Sequence, residues 1–181
     1  YGLDNANDLI LSNDGGYIIT GQYHAQHPDV LILKIDGQGN LENKYNISTA
    51  PPSQRIIESG KSILTFNDNY IILGSISQSS ADGPSNVWLS EYDASLNDVG
   101  DTLWSKTWNL NTYDVPEKII QISDGSFAFA GYSLNNSGEL EFSWIINTDN
   151  SGNELSSIIL TGGCYIYDFF ENIEGNYIVA G

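Results

Sequence analysis

Apolar residues in this chain come in runs of a few positions, broken by clusters of Asp, Asn, Gly and Ser, and one such turn-plus-run unit is written four times. Asn13-Asp14-Gly15-Gly16-Tyr17-Ile18-Ile19-Thr20-Gly21 returns as Asn67-Asp68-Asn69-Tyr70-Ile71-Ile72-Leu73-Gly74 and as Asp124-Gly125-Ser126-Phe127-Ala128-Phe129-Ala130-Gly131. The last copy is Glu174-Gly175-Asn176-Tyr177-Ile178-Val179-Ala180-Gly181. Each is a polar turn, an aromatic, three mostly apolar residues and a glycine. The aromatics Tyr17, Tyr70, Phe127 and Tyr177 stand 53, 57 and 50 residues apart. Gly, Asn and Asp supply the positive φ and local hydrogen bonds of tight turns, and strands of about five residues joined that way form antiparallel meanders. A period near fifty made of short strands predicts a β-propeller or a related array.

The same pattern predicts four strands per copy: 8–11, 17–21, 29–35 and 41–47, then 62–66, 70–74, 87–92 and 103–108, then 118–122, 127–132, 142–147 and 155–160. The fourth copy supplies 167–172 and 177–181. The expected fold is all-β, a single propeller segment over 1–181 of four-stranded antiparallel blades. Three blades are complete (about 4–54, 55–113 and 114–165), and 166–181 gives the first two strands of another. Seven residues before each aromatic stand Ile10, Ile63, Ile120 and Phe170. Five before the turn aspartates Asp36, Asp93 and Asp149 stand Leu31, Trp88 and Trp144. Large apolar residues returning at fixed places, with the four aromatics, are expected to pack blade on blade. The closing glycines Gly21, Gly74, Gly131 and Gly181 are expected where a strand bends or backbones approach closely.

Asp14 to Gly21 followed by Asp29 to Glu42, with Trp104-Ser105-Lys106-Thr107 as a fourth strand, resembles the Asp-Gly-Gly-Tyr-Ile propeller repeats of secreted and cell-surface bacterial and archaeal proteins. The resemblance covers essentially the whole chain and is specific for fold, since such repeats host many roles and share no catalytic set. The third copy departs most, with Phe127-Ala128-Phe129 for Tyr-Ile-Ile and Asn147-Thr148-Asp149 for Lys-Ile-Asp.

Charge narrows the partners. Six Lys+Arg against 23 Asp+Glu give a net charge of -17 over 181 residues, which repels phosphate backbones and anionic lipid. Nucleic acid and membrane insertion are therefore not expected, and the composition suits an extracellular or cell-surface protein. The lone Cys164 permits no intrachain disulfide and is expected to be a small buried apolar residue. Beginning at Tyr1 and stopping inside a strand motif, the chain reads as a processed form or an excerpt. Its open blade edges are expected to be covered by residues beyond it or by copies of itself.

Candidate chemistry is sparse. His24 and His27, with Asp29 nearby, offer two imidazoles for zinc, but two nitrogens on a loop do not complete a site. Asp36, Asp93 and Asp149 are read as turn formers, and Asp149 to Asn153 lacks the later bidentate glutamate of a calcium loop. No cofactor is expected, with calcium left open and unlocated. Glu139 and Glu141 are read as solubilising loop carboxylates, although a carboxylate pair for glycoside hydrolysis is defined by separation in space. No nucleophile elbow or phosphate loop is present. Tyr23, Tyr113, Tyr132, Tyr165 and Tyr167 fall near strand ends and are the candidates for stacking on a sugar or a partner side chain. Asn46 and Asn135 fit the N-glycosylation pattern. These features point to a non-catalytic scaffold for protein or glycan binding or self-assembly. The alternative is a secreted polysaccharide-acting enzyme with its site at the channel mouth.

Overall fold

A computed structural model describes residues 4–24, 28–48, 56–78, 84–94 and 102–181, and among these all regular structure is β-strand. The first sheet runs antiparallel in chain order: β1 (Asn5–Leu11), β2 (Tyr17–Tyr23), β3 (Asp29–Ile35) and β4 (Leu41–Ile47). An eight-stranded sheet follows. Its first half is β5 (Ile56–Phe66), β6 (Asn69–Gln78), β7 (Ser85–Tyr92) and β8 (Thr102–Trp108). Its second half is β9 (Tyr113–Gln121), β10 (Phe127–Leu134), β11 (Leu140–Thr148) and β12 (Glu154–Leu160). Each half is an antiparallel meander of four, and one parallel pair, Ser85 with Tyr113, joins β7 to β9. A hairpin of β13 (Asp168–Glu171) and β14 (Tyr177–Ala180) closes the described chain.

The turns explain why strands begin where they do. Asp36 Oδ1 accepts from the backbone N–H of Gln38 and Asn40 at 2.9 and 2.8 Å, while Asn40 Nδ2 donates to Asp36 Oδ2. Asp149 repeats the arrangement with Ser151 and Asn153. In both turns a glycine, Gly39 or Gly152, takes the left-handed conformation at φ +88 and +73. These donors hold the carboxyls of Asp36 and Asp149 below their ordinary pKa. Asp93 opens the corresponding turn after β7, but its later residues 95–97 lie outside the described ones.

The second hairpin departs from this plan. Asn67 and Asp68 both sit at positive φ, 48 and 67, so β5 and β6 are joined by a tight two-residue loop. The stretch from the aromatic's partner to the aromatic, Thr65–Tyr70, is one residue shorter than Leu11–Tyr17, so counting back from the aromatic slips by one. Leu64 opposite Ile71 is the counterpart of Ile10 opposite Ile18, whereas Ile63 opposite Ile72 matches Leu9 opposite Ile19.

Strand alternation sends successive residues to opposite faces, and three apolar layers form between consecutive meanders, the second of them between the two halves of the eight-stranded sheet. Ile18, Val30, Ile32 and Ile47 meet Ile63, Tyr70, Ile72, Trp88 and Tyr92. Ile71, Leu73, Val87 and Leu89 meet Ile119, Phe127, Phe129, Trp144 and Ile146. Ala128, Ala130 and Ile145 meet Ile166 and Phe169, with Tyr177 and Ile120 partly buried at the edge. Burying each large side chain contributes roughly 1.5–3 kcal/mol. In every layer the aromatic of the motif points back to the preceding sheet, and the residue after it points forward. Tyr17 and Ile10 are only partly buried, Leu31 is buried, and Phe170 is 56% exposed. Phe170 therefore departs from the expected burial, because Phe169 takes the inward face of the hairpin and alternation turns Phe170 to the side no described strand covers.

The glycines after the aromatics are demanded by backbone approach. A Cβ on Gly21, Gly74, Gly131 or Gly181 would run into the carbonyl oxygen of Asn5, Ser59, Val115 or Tyr165. Trp88 and Trp144 lie directly across from Gly74 and Gly131, and their rings cover the space a side chain would take.

Candidate functional site

In the first strand of each of the three four-stranded runs one residue drops out of the pairing register: Asn7 in β1, Lys61 in β5 and Glu117 in β9. Each is a β-bulge, which re-aims the extra side chain away from the ladder. β1, β5, β9 and β13 are successive neighbours across the sheets, so the bulged residues collect. They line a cleft of about 340 Å³ together with Asp8, Lys118, Tyr167 and Asp168. One place thus receives an amide, an ammonium, a carboxyl and a phenol from four different motif copies.

Charges in the cleft are partly spent on structure. Asp8 Oδ2 accepts from Ser62 Oγ at 2.7 Å, Ile63 N–H at 3.1 Å and Lys118 Nζ at 3.2 Å, tying β1 to β5 and β9. Asn7 Nδ2 donates to the Gly60 carbonyl at 2.7 Å. Burial pushes the Glu117 carboxyl up, against the opposing pull of Lys61 and a hydrogen bond from the Tyr132 hydroxyl. The Tyr132 phenol is itself pushed up to about 12, by burial first and then by the Glu117 charge.

Tyr132 leads from the cleft to an aromatic group. Its ring centroid lies 4.9 Å from Tyr165 and 6.1 Å from Tyr167, edge-on to both, while Tyr165 and Tyr167 are parallel at 6.0 Å. Tyr167 remains 55% exposed. Three of the five tyrosines singled out in the sequence thus come together. Tyr23 lies apart, under Lys44 Nζ at 4.1 Å from its ring centroid. Tyr113 sits at the parallel bridge and lines a second cleft of about 380 Å³ with His24 and Asp114, which shares Lys61 with the first.

A buried polar chain supports the third meander behind this surface. Trp144 Nε1 donates to Ser133 Oγ at 3.1 Å, and Ser133 donates to Asp114 Oδ1 at 2.6 Å. Asp114 Oδ2 accepts from Leu110 N–H at 2.8 Å. Burial raises the Asp114 carboxyl even so, which marks desolvation as the stronger influence.

The remaining sequence candidates fall elsewhere. His24 donates its backbone N–H to Asp4 Oδ1 at 3.1 Å, and His27 lies outside the described residues. Among the described residues, no three His, Cys, Asp or Glu side chains are gathered as a metal site. Glu139 closes the 135–139 turn by donating its N–H to Asn135 Oδ1, and Glu141 at the start of β11 accepts from Asn111 Nδ2. Asn135 spends its amide on that turn, and Asn46 is a half-buried residue within β4 rather than a loop position. Cys164 is exposed, contrary to the expected burial, because it lies in the irregular 161–167 crossing between β12 and β13.

The bulge cluster was not identified from sequence. A signal exists: nine or ten residues before each aromatic stand Asn7, Lys61, Glu117 and Tyr167, four unlike side chains at one place in an otherwise repeating pattern.

Glu117→Gln tests the electrostatics. A carboxyl whose folded pKa is raised stabilises below its unfolded value, 4.5 here, and loses that contribution as pH rises through the folded value. The variant should therefore gain on the wild type between pH 4 and pH 7. Urea midpoints at the two pH values read this directly, and parallel behaviour of the two proteins would refute it.

No family model and no curated protein matches the sequence.

Proposed function

We propose that the chain is a β-propeller segment that serves as a non-catalytic extracellular or cell-surface scaffold and takes a glycan at the inner end of its sheets. Support for the propeller reading comes from three consecutive interfaces built by the same positions, and from inner strands that neighbour one another in chain order. The glycan reading is carried by the Tyr132–Tyr165–Tyr167 group beside a polar cleft. An exposed ring face stacks on the C–H face of a sugar, while amide, ammonium and carboxyl groups bond its hydroxyls.

Glycan-array binding without release of reducing sugar is the expected result. Tyr167→Ala should weaken that binding about tenfold, close to 1.4 kcal/mol, and leave the melting temperature unchanged because the ring is more than half exposed. Titration calorimetry and a thermal scan on the same protein separate the two effects.

One observation favours a polysaccharide-acting enzyme instead: Asp8, Glu117 and Asp168 bring carboxylates from three motif copies to one cleft. Against it, Asp8 already accepts three hydrogen bonds, one of them from a lysine. Sugar release lost in Glu117→Gln would decide for the enzyme.

A further inference from the structure

We propose that the second cleft, which meets the first at Lys61, is a binding site of its own for a carboxylate-bearing sugar, a hexuronate. Its walls come from β5, β9 and the ends of β2 and β10. Two polar atoms there lack a protein partner. Among the described lysines, Lys34, Lys44 and Lys118 form ion pairs and Lys106 donates to Asn153, whereas Lys61 does neither. His24 Nε2 is buried and has no hydrogen-bond partner. A buried polar atom left so carries its full desolvation penalty. A ligand hydroxyl, donor and acceptor at once, supplies the missing bond in either tautomer of the ring.

Charge in this cleft runs against that of the molecule, which is -17 overall. Asp8, Glu117 and Asp168 line the first cleft and not the second. The carboxyl that does line the second, Asp114, is fully buried and already spent: Oδ1 accepts from Ser133, and Oδ2 from the N–H groups of Leu110 and Asn111. Lys61 is thus a half-buried ammonium with no anion bonded to it, and a carboxylate completes such a group with a charge-assisted hydrogen bond.

The rest of the wall is apolar, with Pro28, Ile57, Val115 and Leu134 beside the Tyr113 ring. An apolar lining with a few placed polar groups is the make-up of small-molecule sites, and a cleft of about 380 Å³ lies toward the small end of their range of roughly 300–1,000 Å³. A hexuronate matches each part: its carboxylate meets Lys61, a ring hydroxyl meets His24 Nε2, and its C–H face lies on the apolar wall. A simple carboxylate would leave His24 unbonded, and a neutral sugar would leave Lys61 unpaired. The site does not depend on stacking at Tyr132, Tyr165 and Tyr167, none of which lines it.

Titration calorimetry with sodium glucuronate, glucose and sodium acetate tests it, on the wild type and on Lys61→Gln, His24→Ala and Tyr167→Ala. Glucuronate should bind one to one, and at least tenfold more tightly than either glucose or acetate. Lys61→Gln should lose that preference over glucose, and His24→Ala should weaken glucuronate several-fold. Lys61 and His24 are only half-buried, so both variants should keep the wild-type circular dichroism. Tyr167→Ala should bind glucuronate like the wild type, whatever it does to neutral glycans. Glucuronate bound no better than glucose, or equally well after Lys61→Gln, would overturn the proposal. Acetate binding as tightly as glucuronate would remove the sugar from it. Loss of glucuronate in Tyr167→Ala with none in His24→Ala would move the ligand to the first cleft and overturn it as well.

Discussion

Replacing Trp144 by alanine is expected to destabilise the protein by about 3–5 kcal/mol, the range for truncating a large aromatic in a packed core. Trp144 is fully buried, sits edge-on to Phe129 with centroids 6.1 Å apart, and covers Gly131 on the neighbouring strand. Its removal empties the layer between the two halves of the large sheet. It also strips a donor from Ser133, which is buried and bonded onward to Asp114. A buried hydroxyl losing a partner adds its own desolvation cost. Urea unfolding followed by far-ultraviolet circular dichroism measures the change. Trp144→Phe should recover most of the packing but not the hydrogen bond, landing between alanine and wild type. A loss under about 1 kcal/mol for alanine would mean that the layer is not the stabilising interface described above.

Gly131→Val should be comparably severe for the opposite reason. A Cβ at Gly131 would collide with the Val115 carbonyl oxygen and stand 2.7 Å from Trp144 Cζ2. The bulge at Glu117 draws the β9 backbone close at this point, and the ring above cannot retreat from a packed layer. Overpacking of this kind costs about 3 kcal/mol or more when backbone has to move. Gly138→Ala provides the contrast. Gly138 is at φ +76 with nothing within 4 Å of an added Cβ, so only the left-handed penalty of roughly 1–2 kcal/mol applies. If both substitutions cost the same, the close approach at Gly131 is not what selects glycine there.

What could be read from the sequence was governed by period. Turn residues and alternating apolar positions are local properties, so the strands around Tyr17, Tyr70 and Phe127 could be placed from composition alone. The glycines opposite Trp88 and Trp144 followed from their fixed place after the aromatic. Ile63 is buried as expected, but its equivalence to Ile10 fails because Asn67 and Asp68 make a shorter connection, and a count of residues carries no record of loop type. Phe170 misled for a related reason: matching position implies matching burial only where a neighbouring sheet is present. The cleft leaves only a faint trace in the sequence, the unlike side chains nine or ten residues before each aromatic, because a bulge is a backbone event and no residue type at Asn7, Lys61 or Glu117 requires one. Tyr132, Tyr165 and Tyr167 stand out in the sequence as strand-end aromatics, yet their meeting depends on the 161–167 crossing, which has no periodic pattern.

The lone parallel pair between Ser85 and Tyr113 has a consequence for how the molecule comes apart. Backbone ladders run through each four-stranded run, while across the seam one short backbone pairing, a few side-chain hydrogen bonds and the apolar layer resist separation. Pulled from its ends, the chain should yield in discrete steps at the seams before any run unravels. Amide protons should likewise exchange in blocks, each block keeping one common opening free energy. Mechanically, the protein is a row of stiff plates joined by apolar filling and a few polar rivets rather than one continuous cloth.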